Sequence, residues 1–397
     1  MQLASIGGIY LLSFFVIFTN ITAYKMFTKI KYVKLPSLAL PTCLPFISLA
    51  IFPYLFGICH QTIQQYIHEQ PKILKTALLQ TALYPEEHSF MPQYDEKKFI
   101  PPHMQWQKIL TLLKNQITNT VDLIVMPEST VPLLYNQEFL PTDYAIFMLQ
   151  NTFKENAIKY LPTHASSSIS NAFFSQFIAN YFNADVVIGM DKDNYNAALI
   201  FHPQNGPIES YEKRILVPIG EYIPFNWLKN IVKNFGITGS YAHGHANKIF
   251  KGKKANFSVS ICYEETFGYM IKQNNADLLI NISNDAWFPN SHLPQQHFDH
   301  GKIRILENGT PLIRACNIGI TGGIDAFGKT IKILSKDANK SGLLILDVPL
   351  HHYKTLYSFW GDYFIMLFSC SFVLVFYTIK LAQLKKNKNI IPIDTMH

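Results

Sequence analysis

The chain has 397 residues, of which 48% are hydrophobic and 15% charged, and a formal net charge of +7. Soluble chains ordinarily carry about 25% charged residues, so the shortfall excludes a wholly water-soluble protein and points to membrane segments. Cys43, Cys59, Cys262, Cys316 and Cys370 show neither C-x-x-C nor Cys/His spacing, so neither a disulfide framework nor a structural zinc is expected; the lysines flank apolar runs rather than forming a nucleic-acid-binding face.

Leu3 to Tyr24 contains no charged residue and is long enough to cross a bilayer. It lacks the basic start and small-residue cleavage site of a signal peptide, and reads as a membrane span. Lys25 to Lys34 carries four lysines and no acid, which marks a cytoplasmic loop. Leu35 to Cys59 is a second apolar run, in which Pro36, Pro41, Pro45 and Pro53 are expected to kink or break the helix near its ends. Phe359 to Leu384, interrupted only by Asp362 and Lys380, is a third, and Lys385, Lys386 and Lys388 follow it.

The expected organisation is a membrane region with two helices over 1–60, a water-soluble domain over 65–355, a membrane helix over 359–384 and a basic cytoplasmic tail over 385–397. Both lysine clusters place the soluble domain on the side away from the cytoplasm. The first helix then starts on that side too, which implies further upstream helices absent from this chain.

Within the middle stretch, strands are expected at Ile73–Leu83, Asp122–Met126, Asp185–Met190, Tyr195–His202, Leu278–Ile282, Pro311–Cys316, Thr330–Leu334 and Leu343–Val348. Helices are expected at Met104–Ile117, Pro141–Tyr160 and His297–Asn308; Leu161–Ser170 reads as a loop, Asp191–Asn194 as a hairpin link and Gly319–Gly323 as a turn between strands. Strands separated by helices, then adjacent strand pairs, give an α/β fold with a mixed sheet under helices. Neither a phosphate-binding loop nor a dinucleotide fingerprint occurs.

Three apolar strands end at polar residues. Phe257 to Ile261 delivers Cys262 into Glu264 and Glu265, with a short helix expected at Phe267–Lys272; Asp122 to Met126 leads to Glu128; and Tyr211 to Pro224 carries Lys213 and Glu221 where prolines and a glycine prevent a regular helix. Singly, a Cys is more often a buried hydrophobe and a Glu or Lys a solvated surface charge. Together they suffice for chemistry: a buried carboxylate is a general base toward a thiol, and an ammonium lowers the thiol pKa and then stabilises a tetrahedral oxyanion.

The words MPEST, YEKRILVPIGEYIPF, ICYEETF and NISNDAWF, in this order, resemble the nitrilase (carbon-nitrogen hydrolase) superfamily. The last word, with Gln296-His297-Phe298 and the stretch Arg304 to Ala315, narrows the likeness to the apolipoprotein N-acyltransferase branch. The resemblance covers most of residues 70–350. It implies an α-β-β-α sandwich flanked by transmembrane helices, with Cys262 as nucleophile, Glu128 as general base and Lys213 as oxyanion-stabilising cation. Glu221 matches an additional active-site glutamate, and Tyr263 and Glu264 match residues that shape the site. The implied reaction moves an acyl chain from phospholipid, through a Cys262 thioester, to the amine of a lipoprotein's diacylglyceryl-cysteine, by a monomer in the bacterial inner membrane with its catalytic domain on the periplasmic side. It needs no metal or organic cofactor.

Two departures concern the substrate more than the reaction type: the chain is short, and Tyr84 to Phe90 lacks the tryptophan the family tends to carry there. Short relatives in conjugative-transfer gene clusters leave open an acyltransferase or amidase with a different substrate, and an inactive membrane scaffold is a third reading. Ile223, Phe225, Trp227 and Leu228, and Trp287 with Phe288, suit either an apolar entrance or core packing. His164, His202, His243, His245, His292, His297 and His300 read as surface or substrate-loop residues, and Cys316 as a buried strand residue.

Overall fold

The computed structural model describes residues 1–30, 36–67, 70–88, 98–163, 166–225, 227, 241–271, 275–288, 291–334 and 340–388. Two long helices come first, α1 (Ala4–Ile30) and α2 (Pro36–Ile67). Next are β1 (Ile73–Gln80), α3 (Pro85–His88), α4 (Pro102–Gln116), β2 (Leu123–Val125), β3 (Glu138–Pro141), α5 (Thr142–Phe153), β4 (Ser168–Ser170), α6 (Asn171–Phe182), β5 (Asp185–Lys192), β6 (Tyr195–Phe201) and β7 (Glu209–Glu212). The second half contains β8 (Ile249–Lys251), β9 (Asn256–Ile261), α7 (Gly268–Ile271), β10 (Leu278–Ser283), α8 (Leu293–Asn308), β11 (Leu312–Cys316), β12 (Gly322–Ile324), β13 (Thr330–Ile333), β14 (Gly342–Pro349), α9 (Leu356–Trp360) and α10 (Tyr363–Lys388).

Among the described residues the strands form two six-stranded sheets, ordered β14-β1-β2-β5-β6-β7 and β13-β12-β11-β10-β9-β8. The neighbours β1, β2 and β5 run parallel, as do β9, β10 and β11, so the ends that lead to Glu128 and Cys262 both lie at C-terminal edges of parallel strands. One face of each sheet meets the other, with Leu78, Val125, Val187 and Ala198 packed in the same core as Val259, Ile261, Ile280 and Ile313. The outer face of the first sheet is covered by Trp106, Leu149, Phe174 and Phe177 of α4, α5 and α6, and that of the second by Met270, Phe298 and Ile305 of α7 and α8. The result is the α-β-β-α sandwich. Burial on both faces explains why these strands read as near-continuous apolar runs.

Several elements differ from expectation. The helix expected over 141–160 stops at Phe153, because Lys154 takes a left-handed φ of 66° and a 3₁₀ turn, Glu155–Tyr160, follows. The stretch read as a loop ends in β4, which pairs with β3, and leads into α6, whose Phe173, Phe174, Phe177 and Ile178 are buried at helical spacing behind that loop signal. Gly322 and Gly323 belong to β12 rather than a turn; a Cβ on Gly323 would lie 2.4 Å from a Leu346 methyl. The helix α2 runs on through Pro41, Pro45 and Pro53 without the break anticipated there.

Three helices, Ala4–Ile30, Cys43–Ile67 and Tyr363–Leu384, are long and apolar enough to cross a membrane. The first is broken at Gly8, whose φ is 64° and whose Cβ would fall 2.5 Å from the Tyr357 ring. The break frees the Ile9 N–H, which donates to the buried Glu307 Oε1 at 3.0 Å. Gln2 Nε2 donates to the Phe327 carbonyl at 2.8 Å, and the His60 ring meets Tyr353 edge-on at 5.4 Å. The apolar helices are therefore fastened to the sandwich at its α8 side. Residues 31–34 of the expected cytoplasmic loop and 389–397 of the expected tail lie outside the described residues.

Candidate active site

Glu128 follows β2 after Met126-Pro127, and its backbone lies close against β5. A Cβ on Gly189 would be 2.5 Å from the Glu128 Cα, so only glycine permits that approach. The contact is fixed by Gly189 N donating to Pro127 O at 3.1 Å and Thr130 N to Gly189 O at 2.8 Å. Lys213 directly follows β7, and its N–H donates to the Asn196 carbonyl at 2.8 Å. Its side chain is 1% exposed, and Nζ donates to Glu128 Oε1 at 2.9 Å and Glu221 Oε1 at 2.7 Å. Glu221 sits in the irregular stretch after Lys213, held by Val217 N donating to its Oε2 at 2.8 Å. Burial opposes the charge of Lys213, but the carboxylates of Glu128 and Glu221 outweigh it and hold its pKa above the usual lysine value. It stays an ammonium.

Cys262 is the first residue of a 3₁₀ turn, Cys262–Thr266, at the end of β9, and its φ of 52° lies in the left-handed region that non-glycine residues seldom adopt. Such strain persists only where the surroundings over-determine it. Here the two acids that follow it, Glu264 and Glu265, are both fully buried. Glu264 accepts four donors: Ile261 N at 2.8 Å and Tyr211 Oη at 2.9 Å on Oε2, with Arg214 N at 2.6 Å and Ile215 N at 3.1 Å on Oε1. Glu265 pairs with the Arg314 guanidinium, which also donates to Asn281 Oδ1 at 2.9 Å and Asp285 Oδ2 at 3.1 Å. Asn281 Nδ2 reaches back to the Cys262 carbonyl at 3.4 Å. One acid thus clamps the turn to the Lys213 segment and the other to β10 and β11.

Burial pushes the Cys262 thiol up to about 12; the charges of Glu128 and Asp285 push the same way, against Lys213 and Ser283. At neutral pH the resting group is a thiol, so a nucleophilic role demands a base at the moment of attack.

The structure brings Glu128, Lys213 and Glu221 into one hydrogen-bonded cluster, and the charges of Glu128 and Lys213 act on Cys262. Tyr263 packs its ring edge-on to Phe267 at 5.0 Å and does not join that cluster, while the Glu264 carboxylate is spent on the clamp. Sequence reasoning missed Asn196, Tyr211 and Arg314, and named Glu265 without its ion pair. A polar residue at a core-facing strand position, such as Asn196 in register with Ala198 and Ile200, was the available signal. Of the histidines read as surface or substrate-loop residues, His297 is corrected: it is buried with Nδ1 2.9 Å from Asp285 Oδ1, while His202 is half-buried and pairs with Asp185 at 2.8 Å. Phe225 and Trp227 stack at 6.0 Å and are exposed, as are Trp287 and Phe288, so these four are not core residues, whereas Ile223 is half-buried. Leu228 and His164 lie outside the described residues. Among the described residues no group of three or more His, Cys, Asp or Glu side chains is placed to hold a metal ion.

Back-to-back sheets between helical layers, with a buried Glu and Lys beside a Cys at the strand ends, are the architecture of a nitrilase-type protein. The carbon-nitrogen hydrolase family matches residues 97–355, and the chain belongs to that family. It is 32% identical over 336 residues to an apolipoprotein N-acyltransferase of Chlamydia caviae, covering 79% of this chain and 59% of the relative. It is 31% identical over 376 residues to that of Chlamydia pneumoniae, covering 88% and 64%. The chain thus spans about three-fifths of the length of these relatives. A carbon-nitrogen hydrolase superfamily protein from Xanthomonas campestris is 15% identical, with a TM-score of 0.45 over 70% of this chain and 90% of the other.

Proposed function

We propose that the chain is a membrane-bound N-acyltransferase that carries a fatty acyl group from phospholipid, through a thioester on Cys262, to the N-terminal amine of diacylglyceryl-cysteine in apolipoproteins. The observation that carries this reading is the buried ammonium of Lys213 held by Glu128 and Glu221 beside a strained, buried cysteine, in a domain fastened to helices long enough to cross a membrane. The names of the Chlamydia relatives support the substrate class.

Glu128 takes the Cys262 proton as sulfur attacks the acyl carbonyl, and the oxyanion forms beside Lys213. The ester C–O bond breaks, Glu128 returns the proton to the departing lysophospholipid oxygen, and the thioester remains. The amine then attacks, Glu128 accepts its proton, the C–S bond breaks and the thiol is restored. Both substrates are lipids, so a domain seated on the bilayer spares acyl chains an exposure that costs about 0.8 kcal/mol per CH₂. The same reading puts the catalytic residues in a domain over 65–355, on the periplasmic side of the inner membrane, in a monomer.

Purified protein supplied with phospholipid and a diacylated lipopeptide is expected to yield the triacylated product, and Cys262→Ala to abolish it at unchanged expression. Mass spectrometry of the Cys262 peptide separates the readings. A fatty-acyl adduct is expected; a small non-lipid adduct would point to an amidase, and no adduct under turnover to an inactive scaffold.

A further inference from the structure

The two carboxylates that grip Lys213 meet a second donor. Asn196, 3% exposed on β6, directs Nδ2 to Glu128 Oε1 at 2.7 Å and to Glu221 Oε1 at 3.1 Å, the same two oxygens that Lys213 Nζ engages. Lysine and asparagine are neighbours across the β6–β7 ladder, since Lys213 N donates to Asn196 O. The four groups close a ring in which each Oε1 accepts two hydrogen bonds. Glu221 Oε2 is also taken, by Val217 N, so Glu221 is bound at both oxygens. Among the described residues the hydrogen bonds given to Glu128 fall on Oε1, so Oε2 is the oxygen that the base role would assign to the thiol proton.

We propose that Asn196 is a positioning residue for the base: it holds Glu128 by the oxygen not used in proton transfer and adds a donor to that carboxylate without cancelling its charge. A cation in its place would neutralise the cluster, whereas an amide adds a donor and no charge. Among the described residues the buried Asn196 Oδ1 has no hydrogen-bond partner, which a residue present only for packing would not require. The inference rests on Glu128 being the base toward Cys262, and not on the identity of the substrate.

The test is the pH dependence of Cys262 alkylation by iodoacetamide in the full chain in detergent, read on the Cys262 peptide by mass spectrometry because Cys59 and Cys370 are exposed. Loss of the Nδ2 donor disfavours the ionised carboxylate, so Asn196→Ala is expected to move the acid limb up by about one pH unit and to slow alkylation about tenfold at pH values on that limb. Asn196→Asp, of the same shape, adds a like charge and is expected to move the limb further. Superposition of both profiles on the parent's would overturn the proposal; should the alanine variant not fold, superposition of the aspartate profile alone does so. Glu128→Gln separates the two levels: if it leaves the parent profile unchanged, the base assignment fails and this inference with it. A shifted Asn196 profile in a protein that acylates no lipopeptide keeps the inference and overturns the substrate reading.

Discussion

The Oε1 of Glu264 lies 2.6 Å from the amide nitrogen of Arg214, the residue after Lys213, while its Oε2 lies 2.8 Å from the amide of Ile261, the residue before Cys262. One carboxylate therefore sets the spacing between nucleophile and cation, which belong to different sheets. Glu264→Gln replaces an acceptor of four hydrogen bonds by a group with one accepting oxygen and one donor. It is expected to lower stability by about 2 kcal/mol and acyl transfer by at least about a hundredfold, because a misplacement of about 1 Å is that costly. Thermal denaturation beside single-turnover acylation checks both; a stable variant with parental acylation refutes the clamp.

Arg314 is fully buried between Glu265 and Asp285. Removing it leaves two carboxylates in a dry layer, and breaking a buried pair costs about 3–5 kcal/mol. Arg314→Met is expected to lose that much in denaturant unfolding. Glu265→Gln in the same background is expected to recover part of it, since the buried pKa of Glu265 is already raised by desolvation against the pull of Arg314.

The sequence carried Glu128 and Cys262 legibly because each stands just past an apolar strand, where a polar residue has little to do in packing. Lys213 follows β7, whose residues Glu209-Ser-Tyr-Glu212 are not the apolar run expected there, and Glu221 lies beyond it, so these two were legible from the resemblance rather than from a strand end. Asn196, and the pairing of Glu265 with Arg314, were hidden because the partners are far along the chain: Asn196 meets Glu128 across 68 positions and Arg314 meets Glu265 across 49. Only the stacking of the strands joins them. The helix α6 was hidden by its own neighbour, a run of small polar residues that folded as β4 by pairing with β3.

Trp287 and Phe288 follow Asp285, which His297 and Arg314 fix inside the domain, so these rings stand at a set distance from the nucleophile while 57% and 61% exposed. Burial of such a side chain in lipid is worth about 1.5–3 kcal/mol. The double variant Trp287→Ser, Phe288→Ser is expected to raise KM for phospholipid about tenfold or more and to lower kcat far less. Equal losses in both would assign these rings to the chemistry rather than to lipid capture.

Glu307 joins the sandwich to the first apolar helix, and burial raises its pKa to about 7, against the opposing pull of Arg304 and the Ile9 amide and with a further push from Asp362. Tyr357, whose hydroxyl donates to Asp362 at 2.8 Å, closes the same cluster. The folded value exceeds the unfolded one of about 4.5, so the folded chain binds the proton more tightly. The associated stability is complete below that unfolded value and is lost as the pH rises through about 7. The shift amounts to about 3 kcal/mol. In detergent, the parent's Tm is therefore expected to fall between pH 5 and pH 8 relative to that of Glu307→Gln, which cannot titrate. Parallel Tm curves would show that Glu307 is ionised throughout, and the contact with Ile9 would then be a charged cap on the helix start rather than a neutral one.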